Sequence, residues 1–107
     1  MDSQKLKIKR IINDYKLALK SLGITVQKTI LFGSFARGNA RKDSDIDLII
    51  VSEDFKKMNL RQRLEVLGIA AVRIMQPIEA KGYTFKEINS PAKSIFLSHI
   101  LKIGMGV

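Results

Sequence analysis

Asp45 and Asp47 stand one residue apart where the apolar run Ile46-Asp47-Leu48-Ile49-Ile50-Val51 begins, and upstream the run Ile30-Leu31-Phe32 ends in Gly33-Ser34. A run that is β-branched and apolar on both faces reads as a strand covered on both sides. Side chains alternate along a strand, so Asp45 and Asp47 point the same way, roughly 6.5–7 Å apart along the backbone. Two carboxylates converging from one strand end suit a hard divalent cation such as magnesium, which prefers oxygen ligands and shares its coordination with substrate phosphates. At the other end of the stretch, a glycine turn delivered by a strand lets backbone amides approach a phosphate closely, and Ser34 adds a hydroxyl. The ligand these groups suit is a nucleotide with its metals.

Other residues extend the candidate site. Arg37 follows the turn and has two readings, a phosphate contact or a structural pair with a nearby carboxylate that holds the loop. Asn39 to Asp43 is a polar connection, after which the Ser44 hydroxyl is expected to order the turn that presents Asp45. Glu79, between Ile78 and Ala80, would be costly to bury unless paired or ligating a cation. From the residues alone it reads as a cation ligand, a salt-bridge partner or an exposed edge residue, with Glu53 and Asp54 as the fallback acidic candidates. Phe35 reads as a pocket wall or as core packing.

Two other phosphate motifs fail on the same letters. Gly33 and Gly38 have the Walker A spacing, but Asn39-Ala40 stands where Lys and Ser/Thr are required, and no dinucleotide fingerprint is present. His99 is the only histidine and nothing around it supplies metal-ligand spacing. With no cysteine, disulfides and thiolate metal sites are excluded.

The elements that must position these groups can be taken in order. Residues 3–22 read as an amphipathic helix with Leu6, Ile8, Ile11, Ile12, Tyr15, Leu19 and Leu22 inward and Gly23 as its stop. Ile24 to Phe32 is expected as a first strand. Ser34 to Gly38 reads as the first turn of a short helix whose amino end adds partial positive charge. Ser52 to Asn59 is expected as a polar loop, and Leu60 to Met75 as a helix with Leu60, Leu64, Leu67, Ala71 and Ile74 inward and its arginines outside. Pro77 ends it, and Ile78-Glu79-Ala80 reads as a short third strand. Thr84 to Glu87 has capping-box spacing. A last helix is expected from Pro91 to Lys102, with Gly104 and Gly106 freeing the tail.

At 107 residues, 46% of them hydrophobic and with a mean hydropathy of +0.03, the chain is expected to be a single soluble domain over residues 1–107. It is too short for separate catalytic and acceptor-binding domains. No segment approaches a membrane span, and the lysines from Lys5 to Lys20 interrupt any signal-peptide core, so a cytoplasmic location is expected. The net charge of +9 is strongly basic. It suits an RNA, a nucleoside triphosphate, an acidic protein partner or a plain lysine-rich surface, and no aromatic-studded basic strand singles out nucleic acid.

In combination, Gly33-Ser34, Arg37-Gly38 and Ser44-Asp45-x-Asp47 resemble the signature of the DNA polymerase beta-like nucleotidyltransferase superfamily, in particular its minimal, MntA-type domains. The resemblance covers nearly the whole chain and is specific for the superfamily, much less so for a substrate. It implies an α/β (α+β) fold, a small mixed β-sheet with helices packed against it. Asp45, Asp47 and Glu79 would be the catalytic carboxylates and metal ligands, with Glu79 where relatives commonly carry aspartate. Gly33, Ser34, Arg37 and Ser44 would hold the nucleotide. Two magnesium ions about 3.5–4 Å apart and ATP as donor would be expected. Such domains are frequently encoded beside a HEPN-type protein and act as the antitoxin of a toxin–antitoxin pair, transferring AMP to a tyrosine of the toxin. The alternatives are a nucleotide-binding antitoxin that acts by contact alone, and nucleotidyl transfer to RNA or to a small molecule such as an aminoglycoside.

Overall fold

The computed structural model of the chain describes residues 3–41 and 43–107. Lys42, in the expected polar connection, lies outside the described residues. In chain order the elements are helix α1 (Ser3–Ser21), strand β1 (Lys28–Phe32), the one-turn helix α2 (Ser34–Arg37), β2 (Ile46–Val51), a short 3-10 helix (Glu53–Lys57), α3 (Leu60–Arg73), β3 (Ile78–Tyr83), α4 (Phe85–Ile88), α5 (Ile95–Ile103) and β4 (Met105–Gly106).

The strands form one mixed sheet in the order β3-β2-β1-β4. β1 runs antiparallel to β2 and to β4, while β2 and β3 are parallel and joined by α3 as the crossover. Alternation along the strands sends Leu31, Leu48, Ile50 and Ala80 to one face, under α1 and α3, and Ile30, Ile49 and Val51 to the other, under α4 and α5. β2 is therefore covered on both sides, as its composition required. The expected small mixed sheet with helices packed against it is the fold observed.

α1 buries Ile8, Ile11, Ile12, Tyr15 and Leu19, the stripe its period implied apart from Leu6 and the partly buried Leu22. The Tyr15 hydroxyl donates to the Leu67 carbonyl at 2.8 Å, tying α1 to α3, and burial pushes its phenol far above the ordinary range.

Several expectations need correction. The first strand begins at Lys28 rather than Ile24, because the incoming chain is held by the 3-10 segment first, Thr25 N–H donating to Asp54 Oδ2, and joins β2 only at Gln27, whose N–H donates to the Val51 carbonyl. Ser52 to Asn59 is not a plain loop; Ser52 caps a 3-10 helix that buries Phe55 completely. β3 runs on to Tyr83, its Gly82 lying so close to the Phe55 ring that a Cβ there would come within 2.7 Å of ring carbons. Pro91 does not start the last helix, which begins at Ile95 after its Ser94 cap, while Thr84 and Glu87 form the expected capping box around α4. The tail is not free: Met105-Gly106 pairs with Ile30-Leu31 and Val107 N–H donates to the Thr29 carbonyl.

The largest departure is on α3. Leu67, Ala70 and Ala71 are buried, whereas Leu60 and Leu64 stand 72% and 48% exposed. Arg63 turns inward instead, its side chain 11% exposed. It donates to the carbonyls of Met58, Phe55 and Gly82 and, at 2.7 Å, to Glu87 Oε1, with its guanidinium over the Phe55 ring. A planar five-donor group can satisfy three carbonyls and a carboxylate at once. It thereby joins α3, the 3-10 helix, β3 and α4. Burial alone would raise the Glu87 pKa, but the bonds from Arg63 and from the Thr84 backbone outweigh it and hold Glu87 below its ordinary value of 4.5.

A carboxylate held low contributes stability that is complete above its unfolded pKa and is lost as pH falls through the folded value. Glu87→Gln should therefore lower the urea midpoint at neutral pH, and the gap to wild type should narrow as pH falls below the ordinary carboxylate range. Chemical denaturation of the two proteins across that range checks this.

Candidate active site

Asp47 is the second residue of β2, and the pairing places it opposite Phe32 of β1 and Glu79 of β3. In-register residues on neighbouring strands face the same way, so Glu79, Asp47 and Phe32 form a row across one face of the sheet. It is the face packed by α4 and α5 further along, where Ile49, Val51 and Ile30 are buried against Ile88, Leu97 and Ile100. Asp47 remains partly exposed and Glu79 exposed.

Gly33 leaves β1 with φ 74° and ψ −154°, a region that L side chains avoid. The reason for glycine is also steric. A Cβ at Gly33 would overlap Asp47 Oδ2 and lie 3.0 Å from its Cγ. The turn therefore closes directly over the carboxylate. α2 follows as a single turn in which Arg37 N–H donates to the Gly33 carbonyl, and Gly38, at φ 77°, ends it by donating to the Ser34 carbonyl. The first N–H groups of such a turn have no partner within it. One turn carries little macrodipole, so those amides and the Ser34 hydroxyl, rather than a helix dipole, are what the segment offers an anion.

The electrostatics of Asp47 follow from its surroundings. Burial raises its pKa, the charges of Glu79 and Asp45 raise it further, and Arg37 opposes them without cancelling them. A hydrogen bond with the Glu79 side chain favours the protonated form as well. Asp47 thus sits in an excess of negative charge. Asp45 is exposed just before β2, beside the Gln76-Pro77 turn that accepts the Ile46 N–H through the Pro77 carbonyl at 2.8 Å. Among the described residues no three acidic or histidine side chains are gathered closely enough to hold a metal by themselves. Asp47 and Glu79 are side by side, while Asp45 acts on Asp47 through its charge. The donor chemistry nonetheless suits a hard divalent cation, which takes oxygen ligands and would offset the repulsion that raises Asp47.

The remaining expected residues can be placed. Ser44 Oγ accepts from Arg41 N–H at 2.8 Å while Ser44 N–H donates to the Arg41 carbonyl at 3.1 Å, so its hydroxyl orders the turn before Asp45. Arg37 is exposed and close enough to lower the Asp47 pKa. Phe35 packs against the α1–α3 side of the core and lines a hollow beside Ser44 and Pro77. Glu53 accepts from Phe85 N–H and Asp54 from Thr25 N–H, which gives both structural work away from the row. His99 is exposed on α5.

Sequence reading missed Lys81 and Phe96. Lys81 lies two residues beyond Glu79, on the same face of β3, with its Nζ 5.4 Å from the Phe96 ring centre, and Phe96 meets Phe32 edge-on at 6.1 Å. Extending the alternation from Glu79 would have found Lys81.

A family model described as a nucleotidyltransferase domain matches residues 12–103. The chain belongs to that family. This bears out the resemblance read from the glycine–serine turn and the aspartate pair. No curated protein matches the chain. Among solved structures, a toxin–antitoxin crystallised with AMP-PNP aligns over 94% of this chain and 68% of that one at 20% identity, with a TM-score of 0.56, and shares the fold. A candidate nucleotidyltransferase from Sulfolobus solfataricus is 26% identical over 75% of each chain, with a TM-score of 0.48. No helix among the described residues is long and apolar enough to cross a membrane.

Two outcomes test the geometry. Gly33→Ala combines an unfavourable φ with overlap onto Asp47 and should cost at least about 2 kcal/mol in urea unfolding. Asp47→Asn relieves like-charge repulsion and should raise Tm in metal-free buffer. Calorimetry in EDTA reads the second.

Proposed function

We propose that this protein transfers a nucleoside monophosphate, AMP from ATP, to a hydroxyl of a partner protein, as the antitoxin of a toxin–antitoxin pair whose toxin is of the HEPN type and whose acceptor is a tyrosine. The observation that carries the reading is the row in which Glu79 stands in register beside Asp47, whose carboxylate lies directly against Gly33. Membership of the nucleotidyltransferase family supports the reaction class, and the toxin–antitoxin neighbour with its bound nucleotide analogue supports the donor and the setting.

On this reading the chain's own groups divide the work. The amides after Gly33 and the Ser34 hydroxyl hold the β- and γ-phosphates, and Arg37 neutralises charge beside them. Ser44 fixes the turn that presents Asp45. A magnesium pair held by Asp45 and Asp47, with Glu79 beside them, would offset phosphate charge and lower the pKa of the attacking hydroxyl. Glu79 accepts the proton of that hydroxyl as its oxygen bonds to the α-phosphorus and the bond to the departing pyrophosphate breaks. Positioning and charge neutralisation supply most of the acceleration.

The test mixes the protein with its purified HEPN-type partner, α-labelled ATP and magnesium. Wild type should label a partner tyrosine and release pyrophosphate. Asp45→Asn and Asp47→Asn should each reduce labelling by on the order of 10²–10³-fold, while gel filtration shows the complex intact. Equal neutralisation of the toxin by all three proteins, with no label on it, would instead establish inhibition by contact. Label on RNA or on an aminoglycoside would move the acceptor.

A further inference from the structure

A cavity of about 600 Å³ lies not at the carboxylate row but along β3 beyond it, between the start of α3 and the segment leading into α5. Leu60, Leu64 and Leu97 give it an apolar floor, Tyr83 closes one side, and Lys81 and Lys93 stand at its rim. We propose that this cavity receives an apolar or aromatic side chain carried on an acidic segment of the protein that accepts the nucleotide.

Three observations carry the assignment, the first of which rests on the transferase reading. A triphosphate gripped at Gly33-Ser34 has its leaving pyrophosphate at the strand-start end of the Asp47–Glu79 row. In-line displacement requires the attacking oxygen on the opposite side of the α-phosphorus. Lys81, which lines the cavity, lies roughly 6.5–7 Å along β3 from Glu79 on the same face of the strand, so an acceptor that reaches past Glu79 meets the cavity next.

The second observation is charge. Among the described residues the ion pairs are Arg61–Glu65 and Arg63–Glu87, so the one carboxylate in the cavity, Glu87, is already matched by Arg63. Lys81 rests over the Phe96 ring, and Lys93 Nζ donates to the Ser90 carbonyl at 3.0 Å. Two cations without a carboxylate at the rim of an apolar floor complement an acidic segment with an apolar anchor.

The third is exposure. Leu60 and Leu64 are large apolar side chains left open on α3, and the same helix face continues through Gly68 and Val72 to a shallow hollow lined by Asp45. The apolar surface is thus continuous from the cavity to the edge of the candidate site. A second copy of this chain is a poor occupant, because two bodies of charge +9 repel.

Titration of the ¹⁵N-labelled protein with the peptide acetyl-Glu-Tyr-Leu-Glu-amide tests the cavity without any catalysis. Amide shifts should concentrate at Gly82, Ser94 and Leu97, and affinity should fall about tenfold or more in the double variant Lys81→Glu/Lys93→Glu. Leu64→Gln, a surface change, should weaken binding independently. No shifts, shifts scattered over the α1 lysines, equal binding of the peptide with lysines in place of its glutamates, or indifference to the charge reversal would each overturn the proposal. Adding the purified HEPN-type partner with labelled ATP and magnesium separates it from the reading it rests on. Cavity shifts without label transfer would keep the cavity and remove the transferase; transfer to the HEPN-type partner undiminished in the cavity variants would do the reverse.

Discussion

The carboxyl group of Asp47 occupies the space that a side chain at Gly33 would fill, and this one contact fixes what the surrounding strands can be. It requires the turn after β1 to fold back over β2, so β1 and β2 must be antiparallel neighbours with Phe32 opposite Asp47. It requires backbone at Gly33 that only glycine adopts without strain. Once β2 is paired on that side, β3 can add only on its other edge, and a parallel crossover through α3 brings Glu79 into register with Asp47. The acidic pair is a consequence of strand order.

A pair of adjacent carboxylates works against folding, so other parts of the chain must hold the sheet. They do so by covering β2 completely: Leu48, Ile49, Ile50 and Val51 are all inaccessible to solvent, packed from one side by α1 and α3 and from the other by α4 and α5. Each such side chain stabilises by about 1.5–3 kcal/mol relative to exposure. The repulsion is confined to the strand ends, where the apolar cover stops. Arg63 serves a different purpose. It closes the far end of the sheet by satisfying carbonyls that the 3-10 helix and β3 leave inward, so that the end opposite the acidic row is cross-linked by hydrogen bonds.

What could be read from the sequence was what depends on local period and local chemistry. α1, β2 and the α4 capping box each carry their signal within a dozen residues, and the glycine–serine turn and aspartate pair are local too. What escaped is decided by partners far along the chain. Nothing in Lys81-Gly82-Tyr83 looks like a strand until Gly82 is needed for close approach to Phe55. Met105-Gly106 is a strand only because β1 offers it a free edge. On α3 the apolar period placed Leu60 and Leu64 inward and Arg63 outward, and the inversion follows from three carbonyls waiting for a donor at that spot. The acidic candidates were nameable from type and spacing, but the side-by-side placement of Asp47 and Glu79 is a matter of strand register.

The overall charge and the local charge have opposite signs, and the contrast bears on the ligand. A body of charge +9 draws in polyanions from solution over the screening distance of about 8–10 Å. Near Gly33 they meet Asp47, beside Glu79 and under the charge of Asp45, and these carboxylates repel bare phosphate at contact. An RNA backbone gains the long-range attraction and then loses at short range. On the proposed reading a triphosphate that brings divalent cations with it would gain at both distances, its charge matched by the Ser34 turn and Arg37 and its metals by the carboxylates. On the proposed reading the basic composition therefore needs no nucleic-acid partner to explain it. On that reading the surface gathers anions of every kind, and the acidic row would admit those that arrive already bearing metal.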